Sequence, residues 1–209
     1  MQADDDHAEG ADGHGFLLEG AHHSIGIAAA ATPWQSGRQH KQEMARLRNT
    51  SGLISFIRDR GHGRVDVDAA GNAVPAYLLA DELDIANFRA GLEAVARVHE
   101  AAGAQRITAL SRRPLAWSRG EDFDAFLTRL RECSLAPHEH AVFSAHQMGS
   151  CRMGKDPASS VANPWGELHD TPGVWVGDAS AFPTASGTNP MITIMALAQR
   201  TAEAISAAA

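Results

Sequence analysis

The sequence predicts an α+β fold in which an antiparallel sheet is combined with separate helices. Three apolar or alternating runs lie between Gly52 and Leu79 with short connections, which is typical of an antiparallel meander. A stretch with helical spacing of apolar residues follows, and an aspartate at its start predicts a capped helix. Towards the C-terminus, two apolar runs lead into loops of small and polar residues.

Composition limits the class of protein and its partners. The chain has 209 residues, 44% hydrophobic and 21% charged, which is enough for a core in one or two domains. A net charge of -7 argues against nucleic acid or an anionic membrane as partner. Cys133 and Cys151 make no disulfide framework, so a reduced cytoplasmic setting is expected. No apolar run reaches the roughly 18 residues of a membrane span.

The N-terminal elements are short. Residues 1–14 are expected to be disordered, because Met1–Asp12 has low hydrophobicity and high charge. Phe16–Gly20 predicts a strand, and Ser24–Ala31 predicts the start of a helix. The polar stretch Arg38–Arg48 is also helix-prone.

Three predicted strands form the meander. Gly52–Asp59 is an apolar run, Arg64–Asp68 alternates strictly, and Val74–Leu79 is a third run. Glycine and asparagine mark the turns between them. Short connections favour antiparallel pairing in chain order.

Two helices flank a further strand. Asp81 can cap the first turn of a helix that ends at Gly103, and Asp84 adds a carboxylate at its positive end. Gln105–Leu110 predicts a strand and Glu121–Arg131 a second helix. Between them lies a polar, uneven segment whose Trp117 either packs in the core or borders a ligand.

Two glycine-containing loops stand out near the C-terminus. The run His146–Gly154 (HQMGSCRMG) follows Ala141–Phe143, which predicts a strand. A second patch begins with the predicted strand Val174–Val176 and continues through small and turn-forming residues to Met191. Together these stretches suggest a cofactor cradle.

Three ordered motifs carry a family resemblance. HQMGSCRMG, VGDAS and PTASGTNPMITIMALA resemble the C-terminal signature of the glucose-methanol-choline (GMC) flavin oxidoreductases, most closely the branch of long-chain alcohol oxidases. The resemblance implies FAD as cofactor and covers only the C-terminal part of such an enzyme. It implies a substrate-binding region at residues 15–140 and a catalytic segment at 141–209 that completes a FAD-binding α/β domain.

The dinucleotide-binding fingerprint is missing from this sequence. A Gly-x-Gly-x-x-Gly turn needs three glycines, but Gly13-His14-Gly15 and Gly61-His62-Gly63 each lack the third. Enzymes of the family that this sequence resembles carry that turn in an N-terminal Rossmann half, so we expect this half to be missing from the given sequence and its flavin site to be incomplete.

Candidate site residues follow from the motifs. Imidazole is suited to accept the hydroxyl proton of an alcohol, and the resemblance assigns that catalytic role to His146 with Asn189 as its partner. Asn189 is also a favoured N-cap, and Pro190 is favoured at the first position of a helix, predicted to run from Met191 to about Ser206. Its positive end would face the flavin. The cofactor-binding candidates are Asp178, Ala179, Asn189, Pro190 and Met191.

Simpler alternatives stay open for these residues. His146 is otherwise a structural histidine, Asn189 a plain helix cap and Asp178 a turn aspartate. His138 and His140 are two positions apart, so on a strand they would share a face and could bind a metal with His146, but no Asp, Glu or Cys stands at a supporting spacing. No metal site is therefore expected.

The resemblance implies that this sequence is the C-terminal part of an FAD-dependent enzyme. Its expected reaction is oxidation of a primary alcohol, long-chain or otherwise apolar, by hydride transfer to flavin, with oxygen or another electron acceptor. A separate N-terminal FAD-binding chain is a candidate partner. The alternatives are a non-catalytic complementing module and an inactive truncated product.

Overall fold

The computed structural model describes residues 14–21 and 24–208 and confirms the α+β class. Its strands β1 to β6 are Phe16–Gly20, Leu53–Ile57, Arg64–Val67, Ala73–Ala76, Arg106–Thr108 and Ala116–Ser118. Its α-helices α1 to α5 are Ile25–Ala31, Gly37–Ala45, Glu82–Ala101, Phe123–Arg131 and Met191–Ala208. Two short 3-10 helices are Leu47–Asn49 and Ala179–Ala181. The N-terminus that was expected to be disordered lies outside the described residues except for His14.

The chain divides into two compact units. The first runs to Ile57 and resumes at Leu79–Phe143, whereas the second contains Arg58–Leu78 and the chain from Ser144 onwards. The division after Phe143 lies close to the predicted start of the catalytic segment. Residues 58–78 lie within the predicted substrate-binding region and belong to the same compact unit as the C-terminal segment, and the predicted functional boundaries stay a prediction.

In the first unit, α3 covers one face of the β1–β2 sheet. Asp81 caps α3 as predicted, because its carboxylate accepts hydrogen bonds from the amides of Leu83 and Asp84 at 2.9 and 3.3 Å. A side chain at Gly91 would collide with the hydroxyl of Ser55. The bare glycine backbone is what lets the helix approach the sheet so closely.

The core of the first unit lies where α3, α4 and the β5–β6 hairpin meet. Phe126 and Leu127 on α4 are fully buried, and Trp117 on β6 is 3% exposed. The indole N–H of Trp117 donates to the carbonyl of Glu121 at 3.0 Å, which satisfies its polar atom inside the core. Trp117 is therefore a packing residue, and its strand β6 lies in the segment that the sequence left unassigned.

The predicted three-stranded meander is wrong in its first pairing. β2 pairs with β1, whereas β3 and β4 form a separate two-stranded hairpin. The β1–β2 register sets Leu18 opposite Ser55, and both Ser55 and Phe16 lie against Gly91 of α3. Pairing with β1 thus gives α3 a sheet face to pack on, and the chain leaves this unit at Arg58.

Two other predicted strands are not formed. Ala141–Phe143 is irregular, and Val174–Val176 contributes only a single bridge between Trp175 and Glu167. The backbone partners of the second segment lie on both sides of Glu167: Val176 donates to the carbonyl of Gly166 at 2.8 Å, and the carbonyl of Val174 accepts from the amide of Leu168 at 2.9 Å. A tight turn, unlike a neighbouring strand, cannot supply the further hydrogen bonds of a β-ladder.

The second unit contains the β3–β4 hairpin, a series of turns and α5. Asp68 closes the hairpin, since its carboxylate accepts from the amides of Ala70 and Asn72 at 2.9 and 2.8 Å. These hydrogen bonds, first of all the one from Asn72, lower the pKa of Asp68. Among the helices that the structure describes, none has the length and apolar character needed to cross a membrane.

Candidate functional site

A backbone ladder joins the two loops that the sequence singled out. The motif loop, His146–Gly154, runs along the 3-10 turn, Ala179–Ala181, and alternate amides of the loop donate to consecutive carbonyls of the turn. The pairs are Gly149 to Ala179 at 3.1 Å, Cys151 to Ser180 at 2.9 Å and Met153 to Ala181 at 2.9 Å. The structure therefore brings HQMGSCRMG and VGDAS together by main-chain contacts.

Gly149 is required at the start of this ladder for two reasons. Its φ of +81° lies in the left-handed region that other residues rarely adopt. A Cβ built there would also lie 3.3 Å from the carbonyl oxygen of Phe182, tighter than usual for such a contact. The glycine allows the loop to turn and to approach the segment after the 3-10 turn.

Asp178 begins the 3-10 turn. Its carboxylate accepts from the amide of Ser180 at 2.8 Å, which makes it the N-cap of Ala179–Ala181. The side chain is otherwise exposed, whereas Ala179 is 7% exposed. Asp178 thus has a local capping role and an accessible carboxylate at the same time.

The loop Pro183–Asn189 leads from the turn into α5. Pro190 is buried and its carbonyl accepts from the amide of Ile194 at 2.9 Å, so regular helix begins at Met191. Asn189 is exposed. Met191 and Ile192 are 64% and 68% exposed, so the first turn of α5 presents apolar side chains to solvent.

Arg58 contacts this loop from far away in sequence. Its Nε–H donates to the carbonyl of Ala185 at 3.3 Å, and its aliphatic stem lies against Gly187. The two partners are separated by 127 positions, so no local sequence signal indicated the contact. Sequence reasoning therefore missed Arg58.

Arg200 ties α5 to the end of the motif loop. Its guanidinium donates to the carbonyl of Pro164 and to the sulfur of Met153, the latter at 3.1 Å, and lies 5.7 Å from the ring centroid of Trp165. The hydroxyl of Thr201 donates to the carbonyl of Val176 at 3.3 Å. The helix is thus fastened both to the motif loop and to the segment that leads to Asp178.

All the predicted site residues lie in the second unit. His146 is half-buried at the start of the motif loop, and Asn189 stands directly before α5. The ladder and the Arg200 contacts connect the backbone segments that carry them. The structure thus places both catalytic candidates in one compact unit together with Asp178, Ala179, Pro190 and Met191.

The other two histidines considered for a metal site, His138 and His140, lie in the first unit. His138 has a φ of +68° and does not lie on a strand, so it and His140 do not share a strand face. Burial lowers the pKa of His140, whose ring packs edge-on against Phe88 at 5.5 Å. Across residues 14–21 and 24–208, no three histidine, cysteine or acidic side chains are grouped to hold a metal ion.

One protein family matches more than half of the chain. The family model described as GMC oxidoreductase matches residues 58–198. The long-chain-alcohol oxidase FAO4A of Arabidopsis thaliana is 34% identical over 180 residues, which cover 83% of this chain and 24% of that protein. The long-chain-alcohol oxidase FAO3 of the same plant is 35% identical over 181 residues, covering 83% and 24%.

A bacterial relative and a solved structure extend the comparison. Paromamine 6'-oxidase of Streptomyces fradiae is 45% identical over 71 residues, which cover 32% of this chain and 13% of that protein. Pyridoxine 4-oxidase from Mesorbium loti has a similar fold, with a TM-score of 0.53 and 23% identity over 74% of this chain and 29% of that chain.

The extent of these matches defines what the chain represents. It spans about a quarter of the length of the curated long-chain-alcohol oxidases, of which 24% is covered. The matched family region contains the motif loop, the 3-10 turn and the first two turns of α5. The chain belongs to the GMC oxidoreductase family and carries the C-terminal domain of that family.

Proposed function

We propose that this chain is the catalytic C-terminal part of an FAD-dependent alcohol oxidoreductase. The observation that carries the proposal is the backbone ladder between the motif loop and the 3-10 turn. It fastens the segment that begins with His146 to the segment that leads through Asp178 to α5. Alcohol oxidation needs such an arrangement, since a proton acceptor and a cofactor-facing helix must keep a fixed relation.

The apolar character of the proposed substrate comes from the relatives. Two of them are named long-chain-alcohol oxidases and match over 83% of this chain. We therefore propose a primary alcohol, long-chain or otherwise apolar, as substrate, with oxygen or another acceptor completing the cycle. The family uses FAD, which when bound supplies the two-electron acceptor for the alcohol carbon.

The residues present fit part of an FAD site. α5 spans 18 residues, so its N-terminus carries a helix dipole that favours negative charge on the flavin edge. Asn189 and Met191 at this end are exposed, and the carboxylate of Asp178 is accessible for a cofactor hydroxyl. Ala179 and Pro190 are both buried, which holds the backbone next to Asp178 and next to Asn189.

The roles of the two catalytic candidates follow from their chemistry. The imidazole of His146 accepts the hydroxyl proton of the alcohol. The amide of Asn189 donates a hydrogen bond to the substrate oxygen and keeps it in line. Both roles depend on fixed positions of the two side chains. The ladder and the contacts of α5 hold the backbone segments that carry them.

The adenosine and pyrophosphate of FAD need a second binding element. The sequence carries no Gly-x-Gly-x-x-Gly turn, which is the usual cradle for these groups. The exposed apolar side chains at the start of α5 also favour a covering partner. We propose that an N-terminal FAD-binding segment of the same family, in this or another chain, supplies both.

Reconstitution tests the proposal. This chain is co-expressed with an N-terminal FAD-binding part of a GMC enzyme, and the complex is mixed anaerobically with a panel of primary alcohols. Loss of the visible flavin absorbance with long-chain alcohols is the expected result. A complex that holds FAD in full occupancy but is reduced by none of the alcohols would contradict the catalytic role and favour a complementing module.

A further inference from the structure

We infer that Arg58 is a positioning residue that fixes the loop Thr184–Thr188, and through that loop Asn189 and the start of α5. The functional part of this inference rests on the proposed function. Arg58 belongs to none of the three motifs and begins the region matched by the family model. Its contacts with the loop lie within the second unit.

The contact has a polar part and an apolar part. The Nε–H of Arg58 donates to the carbonyl of Ala185 at 3.3 Å in a half-buried environment. A Cβ built on Gly187 would lie 2.9 to 3.0 Å from the Cβ, Cγ and Cδ atoms of Arg58. The stem of the arginine therefore occupies the space that any side chain at position 187 would need.

The loop has little else of its own to hold it. Its residues are small, so their burial contributes little hydrophobic stabilisation. The hydroxyl of Ser186 donates to the carbonyl of Thr188 at 2.6 Å, which is a contact inside the loop only. Gly187 has a φ of +67°, and a glycine can adopt other backbone conformations about as readily. An external contact is needed to select one state, and Arg58 provides it.

The consequence for the site follows from chain connectivity. Asn189 stands one residue after Thr188 and directly before the buried Pro190. If the loop moves, Asn189 moves with it, and a displacement of about 1 Å in a reacting geometry costs roughly 10²-fold in rate. The direction of the positive end of α5 towards the flavin changes as well.

Three substitutions separate the parts of the contact. Arg58→Met keeps most of the stem but removes the N–H donor, Arg58→Lys keeps stem and charge but alters the donor, and Arg58→Ala removes all three. Arg64→Met is the matched control, because Arg64 lies in the same unit, is 77% exposed and pairs with Asp66 at 2.8 Å on the hairpin.

The experiment has two readouts. Hydrogen exchange of the Thr188 amide, which donates to the hydroxyl of Ser186 at 3.4 Å inside the loop, reports the loop in the full chain without flavin or activity. In the FAD-loaded complex, bound FAD, the flavin reduction potential, kcat and KM report the site. We expect Arg58→Ala to raise exchange in the loop at least tenfold, to lower the potential and to lower kcat more than tenfold with FAD retained. Arg58→Met and Arg58→Lys should fall between Arg58→Ala and the unmodified chain, and Arg64→Met should stay within twofold.

The outcomes distinguish this inference from the proposed function. An inactive unmodified complex would refute the proposed function, while the exchange measurement would still test the contact of Arg58 with the loop. Loop exchange within twofold in both Arg58→Met and Arg58→Ala would overturn the inference. So would faster exchange in Arg58→Ala with unchanged potential and kcat in an active complex. If Arg58→Ala does not fold, Arg58→Met decides by the same criteria.

Discussion

The amide of Cys151 donates a hydrogen bond of 2.9 Å to the carbonyl of Ser180, in the middle of the ladder between the motif loop and the 3-10 turn. Both partners are main-chain atoms, so the contact depends on backbone shape and not on the thiol or the hydroxyl. The segment that begins with His146 is thereby attached to the segment that continues to α5. A change of backbone geometry at either side is expected to disturb both.

Gly149→Ala tests the shape requirement of the ladder. The substitution forces a side chain into a left-handed conformation and against the carbonyl of Phe182, so it should lower the free energy of unfolding by about 1 to 3 kcal/mol. Chemical denaturation followed by tryptophan fluorescence measures the effect.

Two other glycines serve as controls for this prediction. Gly173 has a φ of +83° but open space around its Cβ position, so Gly173→Ala reports the backbone strain alone. Gly177 has neither feature, and Gly177→Ala should be close to neutral. If Gly149→Ala costs no more than Gly173→Ala, the close approach to Phe182 has no energetic weight.

Asp178 is tested by a pair of substitutions that separate cap from charge. Asparagine is as good an N-cap as aspartate, so Asp178→Asn should keep the hydrogen bond from Ser180 and the stability of the turn. Asp178→Ala should cost about 1 kcal/mol. Measuring FAD affinity of the reconstituted complex shows which role matters. Weakened FAD binding in Asp178→Asn supports cofactor binding, whereas loss only in Asp178→Ala would make Asp178 a turn aspartate.

His146→Ala should lower alcohol oxidation in the reconstituted complex by roughly 10² to 10⁴-fold, the usual contribution of a positioned acid or base. Bound flavin should remain. Stopped-flow reduction of the flavin by alcohol measures the rate, and the flavin content is read from the same sample. A rate within about threefold of the unmodified complex would remove His146 from the catalytic assignment, and loss of flavin would indicate a structural role.

Glu93 gives a pH-dependent test of the first unit. Arg131 and Arg97 bind its carboxylate, with Arg131 Nε at 2.6 Å, and the hydrogen bond from Arg131 is the main reason why the pKa of Glu93 falls from 4.5 to about 2. A lowered pKa stabilises the folded state above about pH 4.5, and this stabilisation is lost as the pH falls from 4.5 to about 2.

The corresponding substitution is Glu93→Gln. It should lower the free energy of unfolding by on the order of 1 kcal/mol at pH 7, because the arginines are about half exposed and solvent screens the pair. The difference should vanish at about pH 2. Glu100→Gln is the control, since Glu100 pairs with Arg119 only at 3.7 Å. A difference that is independent of pH would show that Glu93 acts by packing.

Local signals allowed most of the elements to be predicted. Asp81 as a cap, the strand Phe16–Gly20 and the helix after Pro190 depend on residues next to one another in the chain. The pairing of strands that are distant in sequence could not be predicted in this way. β2 pairs with β1, and α3 covers the face that these two strands share. This surface exists only in the packed structure.

The same distinction applies to the site. The motif resemblance indicated which residues to consider, and the structure places them in one unit. The Arg58 contact with Ala185 crosses 127 positions and leaves no periodic or local pattern in the sequence. The ladder is equally hidden, since main-chain hydrogen bonds place no demand on side-chain identity except at Gly149.

The chain by itself is not expected to bind FAD. FAD draws much of its affinity from pyrophosphate bound at a helix N-terminus and from burial of the adenosine, and the sequence offers no Gly-x-Gly-x-x-Gly turn for these groups. At the start of α5, Met191, Ile192 and Met195 are 64%, 68% and 56% exposed. We expect the isolated chain to purify colourless and poorly soluble, and co-expression with an N-terminal FAD-binding part to rescue it.

Ile192→Gln shows whether the exposed start of α5 causes this behaviour. It should improve the solubility of the isolated chain and weaken its complex with the FAD-binding part, because the same apolar surface drives aggregation and pairing. Ile205→Gln, at the other end of the helix and 42% exposed, is the matched control and should do neither. Size-exclusion chromatography and the visible absorbance of each sample provide the measurement. A monomeric yellow protein with one FAD per isolated chain would contradict the prediction, because the dinucleotide would then bind to residues assigned here to other roles.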